Sequence, residues 1–206
     1  MVWGSDGEKF DLIRQREDWR DVVGDDQHPG SGVMPHLVMP AYPDTLLEQT
    51  MRHSVQAQIQ YGRQRDVPWG ISESGYAAVD AHRNWQYRAF GVPGLGLKRG
   101  LGDDLVIAPY ATAMALLAAP GAATRNLRRM QAMGFGGRFG LYEAVDYTPE
   151  RQPPGQAYTV IRQWMAHHQG MGFLALVSLL RGEPMQRRFV AEPSVQATLL
   201  LLQERI

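Results

Sequence analysis

Apolar side chains recur at a regular spacing in the segment that follows Pro40. Four of them lie at intervals of four residues: Leu47, Met51, Val55 and Ile59. This spacing places them on one face of an α-helix. Thr45 and Glu48 precede that face with the spacing of a capping box, in which each side chain bonds a free backbone amide of the first turn. The segment YPDTLLEQTMRHSVQAQIQYGRQR is therefore predicted to be a helix.

Helical patterns return in the second half of the chain, separated by long segments rich in glycine and aromatic residues. Helices are predicted at about 106–118, 121–133, 158–181 and 193–205, with a short one within 8–22. Residues 66–102 and 133–156 are predicted to be irregular and to face a ligand. We find no alternating pattern long enough to predict a strand. The fold class is predicted to be all-α, with helical hairpins stacked in a ring and their loops gathered around a pocket.

The length of 206 residues allows one domain with a substantial core. Residues 1–35 differ from the rest and are predicted to be a divergent, mostly irregular segment, with the main domain at 36–206. Residues 105–124 carry no charge, and their length is close to that of a membrane span. However, this stretch is rich in alanine and contains Pro109, Pro120 and Gly121, so a buried helix is the better interpretation.

Charge and cysteine content remove several functional classes. The formal net charge is zero, which argues against binding to nucleic acid or to an anionic membrane. The absence of cysteine excludes disulfides and thiolate metal sites. The first residues lack the apolar core of a signal peptide, so we expect a soluble, cytoplasmic chain.

Two carboxylates, Glu73 in WGISESGY and Glu143 in FGLYEAVDY, lie in irregular segments beside glycine and tyrosine. A pair of acids across a polar groove can cleave an acetal: one protonates the leaving oxygen, and the other attacks the anomeric carbon or activates water. The nearby aromatic residues could stack on sugar rings: Trp69, Tyr76, Trp85, Tyr87, Tyr142 and Tyr147. Alternatively, both glutamates cap helices or pair with arginines.

Two further acids are secondary candidates. Asp146 lies three residues after Glu143 and could raise its proton affinity by like-charge repulsion. More often such an acid binds a neighbouring arginine or caps a helix. Asp80 follows the Glu73 segment.

The HHQGM stretch contains adjacent histidines, His167 and His168, followed by Gln169. Adjacent helical residues point about 100° apart, and no partner follows at the spacing that helical metal sites use. We therefore predict no metal, and expect hydrogen bonds to substrate hydroxyls or to the Glu143 loop. The glycines of residues 90–100 lack the spacing of a phosphate loop, so no nucleotide cofactor is predicted.

Eight segments, in order from about Pro40 to Ile206, resemble one family, the glucoamylase-like domain of bacterial cyclic β-1,2-glucan synthases. They are YPDTLLEQT, IQYGRQRDVPWGISESGY, YRAFGVPGLGLKRGL, DLVIAPYATAMALL, NLRRMQAMG, YEAVDYTPER, MAHHQGM and MQRRF…VQATLLLLQER. The resemblance implies an (α/α)6 toroid and retaining transfer or cyclisation of β-1,2-glucan, or its hydrolysis. It implies Glu73 as acid/base and Glu143 as nucleophile. The candidate substrate-binding residues are Trp69, Tyr76, Tyr87, Arg88, Tyr142, Asp146, His167, His168 and Gln169.

This chain also departs from the family pattern. Its sequence pattern predicts only about half of the helices that a complete ring contains. In addition, residues 31–35 are SGVMP, whereas the family has a longer stretch at this place, similar to SGTMFEYLMP. We therefore expect a partial copy whose open side is covered by a second copy or a partner chain. The alternative to catalysis is a remnant that binds glucan without turnover, or that completes another chain.

Overall fold

The computed structural model describes residues 32–95 and 100–203. The short helix predicted within 8–22 lies outside the described residues. The predicted helix after Pro40 is confirmed as α1, Leu46–Gln64. Its N-cap is Thr45, whose side chain accepts a hydrogen bond from the Glu48 amide at 3.3 Å.

Five further helices follow: α2 Pro109–Met114, α3 Pro120–Ala132, α4 Ala166–Arg181, α5 Pro184–Ala191 and α6 Pro193–Gln196. Short 3-10 turns lie at Met34–Leu37, Ala115–Leu117, Pro149–Arg151 and Leu199–Gln203. The strands are β1 Ser74–Val79, β2 Trp85–Arg88, β3 Val106–Ile107, β4 Gly136–Gly137, β5 Gly140–Leu141, β6 Ala144–Asp146 and β7 Thr159–Ile161. Since these strands had not been predicted, the all-α expectation is confirmed only as a mainly helical chain.

The strands form three small antiparallel sheets, with orders β1-β2, β3-β6-β7 and β4-β5. Most are two or three residues long, too short for an alternating pattern to show. Two of the sheets occupy segments that the sequence indicated as irregular. They turn the predicted loops into a rigid support for the site.

Three helix predictions are wrong in their bounds. The helix predicted at 158–181 begins only at Ala166, because Thr159–Ile161 pairs with β6. The uncharged stretch 105–124 is not one buried helix. It holds β3, α2, a 3-10 turn and the start of α3, and Pro109 and Pro120 each begin a new helix. The helix predicted at 193–205 is the four-residue α6 followed by a 3-10 turn.

Two hydrophobic clusters form the core. The first joins α1, α2 and α4 and contains Met51, Trp69 and Met114. The second lies around the sheets and contains Ile71 and Phe90. Trp69 belongs to the first cluster and Ile71 to the second, so the chain passes from one cluster to the other just before it reaches Glu73. Within the described residues, no helix has the length and apolarity that crossing a membrane requires.

Candidate active site

The segment that leads to Glu73 is fixed by buried polar side chains. Asn126 on α3 binds both backbone groups of Trp69, with Nδ2 2.7 Å from the carbonyl oxygen and Oδ1 3.3 Å from the amide nitrogen. Gln58 on α1 accepts from the Ile71 amide at 2.7 Å. These bonds satisfy backbone groups that have no strand partner, so the loop is held as firmly as a regular element.

Glu73 lies at the end of this segment and is half-buried. The Tyr110 hydroxyl lies 3.0 Å from its carbonyl oxygen and 2.8 Å from Ser72 Oγ, which anchors the backbone on α2. The Glu73 carboxylate accepts a hydrogen bond from the Tyr87 hydroxyl on β2. Its side chain therefore faces β2 from the beginning of β1.

Glu143 precedes β6 and its side chain is fully buried. Its Oε1 accepts from His168 Nδ1 at 2.8 Å and from the Gly75 amide at 3.4 Å. Gly75 can approach this closely because it lacks a Cβ atom, which would lie 2.9 Å from the Gln163 amide nitrogen. Oε2 is buried without a hydrogen-bond partner. Of the alternatives left open by the sequence, Glu143 pairs with a histidine rather than with an arginine.

His168, in the first turn of α4, connects the two acids. Its ring is buried and stacks on Tyr110, with ring centroids 3.7 Å apart and planes inclined by 9°. Its Nε2 lies 3.3 Å from the Tyr87 hydroxyl. The hydrogen bond between the histidine pair and the Glu143 loop that the sequence suggested is made by His168. Glu73 is thus bonded to Tyr87 directly, and Glu143 is linked to the same tyrosine through His168.

The tyrosines of the site remain protonated. Burial raises the pKa of Tyr87 and of Tyr110 far above its ordinary value, and the negative charges of Glu73 and Glu143 raise both further. Each hydroxyl is therefore a hydrogen-bond donor throughout the neutral pH range.

Three of the predicted substrate-binding residues have structural roles instead. Trp69 is 8% exposed and packs in the first core cluster, because the bonds from Asn126 turn it inward. Tyr76 packs edge-on against Phe90, with a ring-centroid distance of 5.7 Å. Arg88 forms an ion pair with Asp104. Of the three, Trp69 is buried in the core, whereas Tyr76 is half-buried and Arg88 is exposed.

Asp146 is likewise structural. It is fully buried and receives Arg151 Nε at 2.7 Å, the Ala77 amide at 2.9 Å and the Thr148 amide at 2.9 Å. The alternative in which it binds an arginine is correct. Asp80 belongs to the turn between β1 and β2, where hydrogen bonds from Asn84 and His82 hold its pKa below the usual value.

The sequence analysis missed three aromatic residues at the site. Tyr110 lies under His168, in a stretch that was interpreted only as buried helix. Phe139 and Trp164 are exposed, and they form an aromatic patch with Tyr142, the residue that precedes Glu143 in the chain. The Trp164 ring lies 5.3 Å from Phe139 and 5.0 Å from Tyr142. Only the position of Trp164, immediately before MAHHQGM, could have indicated it.

His167 and Gln169 are exposed at the start of α4. Over 32–95 and 100–203, no group of three or more histidine, aspartate or glutamate side chains is arranged to hold a metal ion. The site therefore consists of carboxylates, imidazoles and phenols.

Comparison with known proteins gives a consistent relationship. Residues 28–193 match the family model described as "Glycoamylase: Putative glucoamylase". The cyclic β-(1,2)-glucan synthase NdvB of Rhizobium meliloti (strain 1021) is 44% identical over 173 residues, which is 84% of this chain and 6% of the relative. The chain thus spans a small part of that relative.

Two solved structures share the fold. A "putative glucoamylase" from Bacteroides caccae matches with a TM-score of 0.60 at 19% identity, over 85% of this chain and 41% of that one. An endo-β-1,2-glucanase from Chitinophaga pinensis, in complex with sophorotriose and glucose, matches with a TM-score of 0.60 at 17% identity, over 85% and 40%. With the family match covering most of its length, this chain belongs to the Glycoamylase family.

Proposed function

We propose that this chain acts on β-1,2-glucan, by transglycosylation and cyclisation or by hydrolysis, through Glu73 and Glu143. The observation that carries the proposal is the meeting of these two distant glutamates around Tyr87. The names of NdvB and of the Chitinophaga glucanase supply the substrate class.

The two carboxylates differ in a way that suits different roles. Glu73 is the more accessible, and its bond to a tyrosine leaves room for a proton, so it is assigned as acid/base. Glu143 is assigned as the nucleophile. Its Oε1 is held by two donors, which leaves Oε2 as the atom that would attack the anomeric carbon.

The aromatic patch of Phe139, Tyr142 and Trp164 supports carbohydrate binding. Phe139 is 66% exposed and Trp164 36% exposed, although such large apolar surfaces are normally buried. Flat, exposed rings suit the C–H faces of glucose units. We assign Tyr87, His167 and Gln169 to the polar contacts with the same chain of sugars.

We also propose that the described residues are part of an (α/α)6 toroid. The side of α4 that faces solvent is apolar from Phe173 onward, with Phe173, Leu176, Leu179 and Leu180 between 40% and 69% exposed. Since a surface helix normally presents polar residues to water, this side suits further helices of the ring. A second copy or a partner chain is the alternative cover.

The test is incubation of the full chain with linear β-1,2-glucan. We expect shortened, lengthened or cyclic products, the cyclic ones lighter than linear chains by one water. Glu73→Gln is expected to lower kcat by about 10²–10⁴-fold, the usual value of a positioned proton donor. Asp80→Asn, in the hairpin turn, is the control, and linear β-1,3-glucan tests linkage specificity.

Burial of Glu143 Oε2 favours one other candidate, a module that binds glucan without turnover, because a sugar can reach that atom only if the site opens. Unchanged glucan, bound equally by the wild type and by Glu73→Gln, would establish this binding role and overturn the enzymatic one.

A further inference from the structure

His168 has two ring nitrogens with two different partners. Nδ1 lies 2.8 Å from Glu143 Oε1, and Nε2 lies 3.3 Å from the Tyr87 hydroxyl. Tyr110 covers one face of the ring, and the neighbouring His167 ring lies 4.0 Å away between centroids. The ring is fully buried, so in this state neither nitrogen exchanges its partner for bulk water.

The chemistry of these partners fixes where the hydrogen atoms lie. An ionised carboxylate only accepts hydrogen bonds, so Nδ1 of His168 must carry a hydrogen that it donates to Glu143. Nε2 is then the nitrogen whose state can change. It accepts from the Tyr87 hydroxyl when the ring is neutral, and donates to the Tyr87 oxygen when the ring is an imidazolium.

The Tyr87 hydroxyl has one hydrogen but two neighbours, the Glu73 carboxylate and His168 Nε2. We propose that Glu73 exchanges a proton with His168 through the Tyr87 hydroxyl, and that Glu143 holds His168 in the tautomer that makes this exchange possible. The inference rests on the proposed function for its role in catalysis. In that role His168 is a positioning residue for Glu73.

The exchange is balanced. In one state Glu73 is protonated and donates to the Tyr87 oxygen, the Tyr87 hydrogen points to Nε2, and His168 is neutral. In the other state the Glu73 proton has moved to Tyr87, the Tyr87 proton has moved to Nε2, and His168 is an imidazolium paired with Glu143. Both states contain the same number of protons and the same total charge. No bond between heavy atoms forms or breaks.

This arrangement gives the acid/base residue a proton store on a buried imidazole. Glu73 can hold a proton as general acid because the Tyr87 oxygen is free to accept from it. That oxygen is free because His168 Nε2 accepts the tyrosine's own hydrogen. The charged or titratable groups in contact with His168 are Glu143, Tyr87, Tyr110 and His167.

Kinetics of the full chain on linear β-1,2-glucan provide the first test. His168→Gln and Tyr87→Phe are each expected to lower kcat by at least about tenfold and to change the pH–rate profile. The double variant should be no slower than the slower single variant, within about twofold, because one pathway is broken twice. His82→Gln and Tyr42→Phe, outside the site, are the controls. The proposal would be overturned if the fold-decrease in kcat of the double variant equalled the product of the two single-variant decreases.

Nuclear magnetic resonance of ¹⁵N-histidine-labelled full chain gives a second test that needs no activity. Glu73→Gln is expected to shift the His168 Nε2 signal, and Tyr87→Phe should abolish that response while leaving the Nδ1–H bond to Glu143. A Nε2 signal that is indifferent to Glu73→Gln would overturn the proton exchange. An inactive wild type with the expected coupling would overturn the proposed function alone.

Discussion

Among single residues, Asp146 shows how the site is supported from beneath. It is fully buried, and its two oxygens receive Arg151 and two backbone amides. One of those amides belongs to Ala77 on β1, so Asp146 connects β6 to the strand that follows Glu73. Each bond to the ionised oxygen is strengthened by the surrounding low dielectric.

We predict that Asp146→Ala lowers the free energy of unfolding by about 3 kcal/mol or more, because it leaves the Arg151 charge and two amides without an acceptor. Denaturation with urea measures the change. Asp80→Ala, which removes an exposed turn carboxylate with a similar set of backbone donors, is the matched control and should cost much less. Equal losses would contradict the structural role of Asp146.

A second prediction at this scale concerns His36. Burial lowers the pKa of His36 below its ordinary value of 6.5, partly offset by hydrogen bonding to the Leu47 carbonyl. The unfolded chain therefore binds a proton more readily than the folded one. The contribution of neutral His36 to the free energy of unfolding should be fully present above pH 6.5 and should be lost as the pH falls toward the folded-state pKa.

Thermal melting between pH 5 and 8 checks this dependence, over the range in which a histidine changes charge. His36→Gln should flatten the curve, whereas His82→Gln at an exposed position should leave the slope unchanged. A slope that is the same in all three proteins would show that His36 does not set it.

A site residue could be predicted from the sequence only when its neighbours in the chain were distinctive. Glu73, Glu143 and His168 lie in distinctive segments, and all three converge. Tyr110 was missed because alanines and leucines surround it, and a phenol in such a stretch reads as core. Trp69 was misassigned for the opposite reason: it lies beside Glu73 in sequence, while the hydrogen bonds of Asn126 turn it into the core.

At the scale of elements, the loop between α1 and β1 depends on a close approach of backbones at Gly70. Its carbonyl oxygen accepts from the Ala108 amide at 2.7 Å, and its φ is +114°, a conformation that residues with a Cβ rarely adopt. A Cβ here would collide with the Thr112 hydroxyl, which itself binds the Trp69 carbonyl at 2.7 Å. The glycine is thus required for the loop that presents Glu73.

We predict that Gly70→Ala costs about 1–3 kcal/mol of stability through backbone strain, in addition to the collision with Thr112. Gly121→Ala, at the start of α3 with no tight neighbour, should be neutral or stabilising by up to about 1 kcal/mol. Chemical denaturation of the two variants compares them directly. Equal stability of both would contradict the close approach.

Helix α1 was predictable because its apolar face and its N-cap agree. The strands β3 to β7 were not, since two or three residues cannot express a period. They exist because of tertiary pairing, as in the register of Val145 with Val160 and Ile107. The local sequence pattern therefore could not predict the short strands that position Glu143.

The whole molecule carries an apolar surface that its own described residues do not cover. On α4, Phe173 and Leu180 are 65% and 69% exposed, one turn on either side of Leu176. The matched part of this chain covers 41% and 40% of the two solved structures that share its fold. A contiguous patch of this kind normally marks an interface.

We predict that the isolated chain self-associates and that the pair Phe173→Glu and Leu180→Lys reduces association without unfolding it. Sedimentation velocity across a range of concentrations measures the change, with circular dichroism as the folding check. The same charges introduced as Thr124→Glu and Gln131→Lys, at two exposed positions of α3 with the same spacing, form the control pair. A wild type that stays monomeric at all concentrations would show that this surface needs no partner.

The central claim is that Glu73 and Glu143 meet at one glucan-binding cleft. Its most direct test is a crystal structure of Glu73→Gln with a β-1,2-linked glucose oligosaccharide. We predict a glycosidic oxygen beside residue 73, an anomeric carbon facing Glu143 Oε2, and sugar rings on Trp164 and Phe139. An oligosaccharide bound elsewhere, with both carboxylates untouched, would contradict the account.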